Sequence, residues 1–112
     1  MRRWPFSLRD GTAMTLDDIT AELRRRVGDN AGLGTTVKFD FGADGTIYID
    51  DATKPPVVDN HDRAAHCTLT VSKDDFEEIA AGRLDATMAY MSGKLRVDDI
   101  ATAMKIAQLL RA

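Results

Sequence analysis

Cysteine is almost absent from this sequence of 112 residues, in which Cys67 is the single example. A chain with one cysteine cannot form an internal disulfide, and this usage fits a reducing compartment, so we expect a cytoplasmic location. Long hydrophobic runs are absent too, since no segment approaches the roughly eighteen apolar residues that a membrane-spanning helix needs. We therefore do not expect an integral membrane protein.

An excess of positive charge is also absent. The formal net charge is −3, and charges of both signs are interspersed along the chain. A nucleic-acid-binding protein needs a basic face, so we expect no nucleic acid partner. The run Arg24-Arg25-Arg26 falls in a predicted helix, where its members point in three directions, and we interpret it as part of a solvated surface.

Length and local pattern define the domain organisation. A chain of 112 residues makes one domain that buries roughly two-thirds of its unfolded surface. Residues 1–13 carry no helical periodicity and no cap, so we expect them to form a loose N-terminal extension. Residues 14–112 are then the folded domain.

The spacing of apolar residues predicts an α+β domain. Alternation of apolar and polar residues predicts strands with one apolar face each. They are residues 35–41, 46–50, 57–58, 65–71 and 94–97. Spacing of three and four residues predicts helices after four caps, which are Thr15, Ser72, Asp85 and Asp98. We expect one five-stranded sheet with the helices layered on its apolar face.

The last third of the chain carries four short motifs in a fixed order. They are C-T-L-T-x-S-x-x-D-F at residues 67–76, G-R-L-D at 82–85, G-K-L-R-V at 93–97 and A-M-K at 103–105. In this order and at this spacing, the motifs resemble the sterol carrier protein type 2 domain, a lipid-binding module. The resemblance implies a mixed sheet and a hydrophobic tunnel between the sheet and the helices.

Methionine and alanine are frequent in the last two predicted helices. Methionine repacks around ligands of varied shape, and alanine leaves room that larger residues would fill. We expect an inward stripe on the final helix, formed by Ile100, Ala103, Met104 and Ala107. Ile106, Leu109 and Leu110 broaden the apolar surface of that helix beyond what one sheet face needs. With the resemblance, the expected lipid-contacting residues are Phe39, Phe76, Met88, Met91, Ile100, Ala103, Met104, Ala107 and Gln108.

The sequence offers little evidence of a catalytic site or a metal site. His61, His66 and Cys67 are near one another in sequence, but a strand that turns Cys67 inward turns His66 to the opposite face. An inward thiol has a raised pKa, so we expect Cys67 to be inert. Three of the four adjacent acid pairs begin predicted helices, where capping explains them. We therefore expect no metal site, no cofactor and no catalytic residue.

The sequence favours a carrier that binds and transfers an apolar lipid, namely a fatty acid, acyl-CoA, phospholipid or sterol-like molecule. Two alternatives stay open. One is an interaction or accessory module of a lipid-metabolising system with a collapsed cavity, and the other is a small enzyme that uses His61 or His66. Expected partners are the lipid ligand, a transient membrane-surface contact and a second copy of the chain in a homodimer.

Overall fold

A five-stranded mixed sheet with helices on one face forms the domain in a computed structural model, which describes residues 15–29 and 31–111. The strands are β1 (Thr36–Asp40), β2 (Thr46–Asp50), β3 (Val57–Asp59), β4 (Cys67–Val71) and β5 (Leu95–Val97). Their order is β3-β2-β1-β4-β5, in which β1 and β4 are parallel and the other neighbours antiparallel. The predicted fold class is confirmed. The predicted extension at 1–13 lies outside the described residues.

The helices of the described chain are α1 (Leu16–Val27), α2 (Lys73–Ala80), α3 (Ala86–Met91) and α4 (Ile100–Arg111). A short 3-10 helix, Gly42–Asp44, joins β1 to β2. Three of the four predicted caps are confirmed, because the side chains of Thr15, Ser72 and Asp85 each accept a backbone N–H of the following helix. At Thr15 the bond is reciprocal, since Asp18 accepts the backbone N–H of Thr15 at 3.0 Å.

The register of the sheet explains why only one face is covered by helices. Val37 and Phe39 of β1 pair with Cys67 and Leu69 of β4, and all four side chains are buried. Their neighbour Lys38 points to the opposite face, since successive side chains of a strand alternate. The face of the sheet that carries these four residues is therefore continuously apolar, and the helices pack against it.

The opposite face of the sheet is partly covered by the loop between β3 and β4. Lys38 pairs with Asp62 of this loop at 2.8 Å, and the guanidinium of Arg63 lies 5.3 Å from the ring centroid of Tyr48. Tyr48 is buried as a result. Both histidines predicted to face solvent, His61 and His66, are exposed.

A buried carboxylate organises the turn after β2. Asp51 is fully buried and accepts the backbone N–H groups of Leu33 and Gly34, each at 2.8 Å, and the ammonium of Lys54 at 2.7 Å. Burial alone would raise the pKa of Asp51, but these three donors together lower it. The sequence offered no signal for this residue, since it stands beside Asp50 as an ordinary acid pair.

Candidate functional site

An aromatic cluster lies at the centre of the sheet–helix interface. Phe39 and Phe41 come from β1 and its end, and Phe76 comes from α2. The ring of Phe76 lies 5.4 Å from Phe39 and 5.3 Å from Phe41, with both pairs near edge-to-face geometry. Such contacts add about 0.5–1.5 kcal/mol to the burial of each pair. Two predicted lipid-contacting residues, Phe39 and Phe76, are thus packed against each other in the core.

Helix α3 exposes most of its surface. Its one buried residue is Ala89, and the helix packs against β5. Met88 is 61% exposed and Met91 is 76% exposed, although both are large and apolar. A six-residue helix with this exposure is not held by its own core contacts, so its cap at Asp85 and its contact with β5 stabilise it.

Helix α4 presents a different face to the core from the predicted one. Ile100 is 55% exposed and Met104 is 64% exposed, whereas Ala103 and Ala107 are half-buried and Gln108 is exposed. The prediction that Ile100 and Met104 point inward is therefore wrong. The buried residues of this helix are Thr102, Ile106, Leu109 and Leu110. The last three are core, not surplus apolar surface.

A local hydrogen bond allows Thr102 to lie on the buried side of α4. Both sides of the helix carry apolar residues at helical spacing, so the period does not decide between them. Thr102 reads as polar in the sequence, but its hydroxyl donates to Asp99 Oδ2 at 2.8 Å and can therefore be buried. Thr102 therefore shares the buried face with Ile106, and Ile100 and Met104 lie outside.

The N-terminal end of α4 is fastened to β4. Asp99 Oδ2 lies 2.6 Å from Nε2 of His66, and the bond from the Thr102 hydroxyl, followed by that from His66, lowers the pKa of Asp99. Asp98, the predicted cap, instead accepts the backbone N–H of Thr68 at 2.8 Å. The capping prediction is therefore wrong by one residue, and Asp99 takes that place.

The C-terminal end of α4 is fastened to α1. Arg26 donates to the carbonyl oxygens of Leu110 at 2.8 Å and Leu109 at 3.3 Å, and its Nε lies 2.8 Å from Glu22 Oε2. The side chains of Arg26 and Glu22 are 1% and 3% exposed. The interpretation of the arginine run as a solvated surface is thus wrong at Arg26, which satisfies carbonyls that a helix end leaves unpaired.

A shallow groove of about 290 Å³ lies where β1, β4 and β5 reach the turns beside them. Two cations, Lys94 and Arg96, line the groove together with Asp40, and both cationic side chains belong to exposed residues. The remaining lining residues are Phe41, Gly42, Thr70, Val71, Ser72 and Gly93.

The candidate catalytic groups are not assembled into a site. Cys67 is buried as predicted, its thiol lies 3.6 Å from the carbonyl oxygen of Asp99, and burial raises the pKa of Cys67 to about 11. A thiol that stays protonated is a poor nucleophile. His61 contacts Asp59 and Arg63, whereas His66 contacts Asp99. Within residues 15–29 and 31–111, no group of three or more His, Cys, Asp or Glu side chains is arranged to hold a metal ion.

None of the helices that the structure describes could span a membrane.

Comparison with known proteins identifies relatives over almost the whole chain. The model of the SCP-2 sterol transfer family matches residues 18–111. A non-specific lipid-transfer protein-like 1 from Caenorhabditis elegans is 31% identical over 108 residues, which cover 88% of this chain and 92% of the relative. Hydroxysteroid dehydrogenase-like protein 2 from Mus musculus is 35% identical over 69 residues, which cover 59% of this chain but 14% of the mouse protein. The domain thus occurs both alone and as a small part of a longer protein.

Solved structures share the fold at low sequence identity. The solution structure of sterol carrier protein 2 from Aedes aegypti, in complex with palmitate, superimposes with a TM-score of 0.69 at 22% identity and covers 89% of this chain and 97% of the mosquito protein. The element order and the single-sided helical layer described above are therefore those of the sterol carrier protein 2 fold.

Proposed function

This chain belongs to the SCP-2 sterol transfer family, and we propose that it binds and transfers an apolar lipid without catalysing a reaction. The ligand class is a fatty acid, acyl-CoA, phospholipid or sterol-like molecule. A transient membrane contact, a homodimer and a cytoplasmic location belong to the same proposal. The mosquito relative with bound palmitate and the nematode lipid-transfer-like relative support it.

One observation carries the proposal: four large apolar side chains of α3 and α4 are more than half exposed. They are Met88, Met91, Ile100 and Met104, which we call the apolar surface. Met88 and Met91 lie at the β5 edge of the sheet, because α3 packs against β5, and Ile100 begins α4 three residues after that strand. Exposed apolar side chains concentrated on consecutive elements are typical of a binding surface.

The energetics suit a carrier. Burying an acyl chain of about sixteen carbons is worth on the order of 12 kcal/mol at about 0.8 kcal/mol per methylene. Association and ordering oppose this with at least roughly 4 kcal/mol, so that about 8 kcal/mol at most remains and binding is no tighter than about micromolar. Methionines of the apolar surface adapt to chains of different shape, which fits a carrier with broad ligand preference.

The acyl chain of the lipid is proposed to enter between the apolar surface and the core. Ala103 and Ala107 lie half-buried between the exposed and buried sides of α4, where their small side chains leave room. The aromatic cluster of Phe39, Phe41 and Phe76 lies further inside, and its rings pack directly against one another. A tunnel that reaches these rings therefore requires the helices to move apart from the sheet as the ligand enters.

The alternative is an accessory module whose core stays closed. The packed aromatic cluster favours this alternative, as does the mouse relative, in which the matched segment is 14% of the length. Mass spectrometry of lipid extracts from freshly purified protein separates the two functions. A carrier retains cellular acyl lipids, whereas an accessory module with a closed core is empty.

Displacement of a fluorescent fatty acid tests the proposed function directly. Met104→Arg places a charge that the bound chain would have to desolvate, so we expect affinity to fall at least tenfold. Val57→Arg is the matched control, because Val57 is 45% exposed on β3, at the opposite edge of the sheet. We expect Val57→Arg to bind the probe like the unmodified protein. Equal affinities for both folded variants, checked by circular dichroism, would refute the assignment of the site.

A further inference from the structure

The groove at the ends of β1, β4 and β5 opens on the face of the sheet that carries no helices. Asp40 pairs in register with Thr70, and Thr70 pairs with Arg96, so these three residues form one row across the three strands. The row points away from the helical layer, because side chains alternate along a strand and the next residues, Val71 and Leu95, are buried in the core. The sheet therefore lies between the groove and the helices to which we assign lipid binding.

Two cations of the groove have no partner within the protein. Lys94 and Arg96 are two residues apart at the start of β5, so they point to the same side, and both are exposed. Neither side chain makes a hydrogen bond or an ion pair with any residue that the structure describes. Apart from Lys105, every other lysine or arginine whose side chain is described contacts a carboxylate or a carbonyl oxygen. Lys94 and Arg96 are therefore available to an anion from outside the protein.

An acid lies across the groove from these cations. Oδ1 of Asp40 accepts the backbone N–H of Gly42 at 2.9 Å, whereas Oδ2 accepts no hydrogen bond from the described residues. Adjacent strands lie about 4.8 Å apart, which puts the Cα atoms of Asp40 and Arg96 about 10 Å apart with Thr70 between them. The groove therefore offers positive charge at one end, a hydroxyl in the middle and a hydrogen-bond acceptor at the other end.

A phosphate monoester that carries hydroxyl groups matches this arrangement. Its phosphate has a charge of about −1.5 to −2 at neutral pH and three acceptor oxygens, so it suits two neighbouring cations better than a singly charged carboxylate does. The carboxylate of Asp40 accepts hydrogen bonds only, so the ligand must present a hydroxyl there and not a second anionic group. The groove volume of about 290 Å³ is close to the lower end of the roughly 300–1,000 Å³ that small-molecule sites occupy, which fits a ligand of this size.

We propose that the groove is a binding site for a small sugar phosphate or a similar hydroxyl-bearing phosphate monoester. Lys94 and Arg96 bind the phosphate, and the hydroxyl of Thr70 donates to it. Asp40 accepts a hydrogen bond from a hydroxyl of the ligand. The site does not depend on the proposed lipid function, because it lies on the other face of the sheet. The bound molecule is thus a separate soluble ligand and not the headgroup of a lipid held beneath the helices.

Titration of the whole chain, followed by the chemical shifts of its backbone amides in nuclear magnetic resonance spectra, tests the proposal. The probes are ribose 5-phosphate, inorganic phosphate and ribose, at about 0.05 M salt, where charge screening is weak. We expect ribose 5-phosphate to produce saturable shifts centred on residues 40–42, 70–72 and 93–96. Inorganic phosphate binds there at least about threefold more weakly, because it is too short to reach from Arg96 to Asp40, and ribose alone produces no saturable shifts.

Three single variants test the assigned contacts. Arg96→Gln removes one cation of the groove, and we expect the affinity for ribose 5-phosphate to fall about tenfold. Lys105→Gln is the matched control, because Lys105 is also exposed and without a partner among the described residues but lies on α4, and it should bind within about twofold of the unmodified protein. Asp40→Asn keeps an acceptor for the N–H of Gly42, and we expect its preference for ribose 5-phosphate over inorganic phosphate to shrink below about twofold. Thermal melting checks that all three variants fold, as surface substitutions usually allow.

The outcomes that would overturn the proposal are distinct from those that concern the lipid. Equal losses in Arg96→Gln and Lys105→Gln, or shifts spread beyond the groove, would show a general attraction of anions and overturn the site. Equal affinities for inorganic phosphate and ribose 5-phosphate would overturn the ligand class. Displacement of bound ribose 5-phosphate by the fluorescent fatty acid would show one shared site and overturn the separate one. Fatty acid binding is measured without ribose 5-phosphate, so its failure leaves the groove standing, whereas absence of saturable shifts overturns the groove and leaves the lipid function standing.

Discussion

Removal of the Arg26 guanidinium is the strongest test of how α4 is held. Arg26 joins α1 to the end of α4, since it contacts Glu22 on its own helix and the carbonyl oxygens of Leu109 and Leu110. In Arg26→Met the apolar stem is kept, but the buried Glu22 carboxylate loses one cation and the two carbonyls lose their donor. Breaking a buried ion pair from one side costs about 3–5 kcal/mol.

Arg25 determines where in this range the loss falls. Its guanidinium lies 2.7 Å from Glu22 Oε1, and it remains in the variant, so the carboxylate keeps one partner. We therefore expect a loss of about 3 kcal/mol in the free energy of unfolding for Arg26→Met. The side chain of Arg25 is 54% exposed, and the loss for the control Arg25→Met is below about 1 kcal/mol because exposed ion pairs are screened.

Urea denaturation measures both variants. A loss of stability in the native state lowers the midpoint and leaves the slope of free energy against urea unchanged. The double variant Glu22→Gln/Arg26→Met removes both charges and should recover part of the loss. Equal stabilities of Arg26→Met and Arg25→Met would show that the buried contacts of Arg26 with Glu22 and the end of α4 do not stabilise the protein.

Three further predictions concern the thiol, the last helix and the N-terminal residues. Burial raises the pKa of Cys67 from 9.0 to about 11 in the folded protein, so the unfolded state releases the thiol proton first as the pH rises. The contribution of the thiol to stability is therefore complete below pH 9 and declines as the pH rises towards about 11. Urea midpoints across that range should show this decline in the unmodified protein and not in Cys67→Ala. Hydrogen exchange in α4 should be faster than in β1 without ligand and should slow when lipid is added; exchange that matches β1 and ignores lipid would mean that the helix does not open for the ligand. Deletion of residues 1–13 should change the melting temperature by only a few degrees, whereas failure to fold would place the domain start earlier than residue 14.

Local pattern is sufficient to predict the elements and three of their four caps. The strands from Thr36 to Asp50 form the predicted hairpin, and the reciprocal bond between Thr15 and Asp18 starts α1 where the spacing begins. These features depend on residues within a few positions of each other, so the sequence contains their causes. The inward position of Cys67 follows in the same way, because alternation along a strand fixes which side chains share a face.

The order and spacing of four short motifs predict the family from one sequence. The match of residues 18–111 confirms this identification. Contacts of the predicted lipid-binding residues stay a prediction, since the structure fixes their position and not their ligand. Phe39 and Phe76 lie in the core, Met88 and Met91 lie on the surface, and Gln108 is exposed.

Local pattern is sufficient to predict the α+β class, the family and the apolar faces, whereas packing between distant segments sets which face of α4 is buried and which charges lie inside. An amphipathic period gives a unique direction only when one side is polar, and α4 carries apolar residues on both sides, so its contacts with α1 and β4 select the buried side. Arg26 can be buried because carbonyl oxygens 83 and 84 positions away accept hydrogen bonds from its guanidinium. Burial of a polar or charged group depends on partners brought from distant segments, and such partners exist only once the chain has folded.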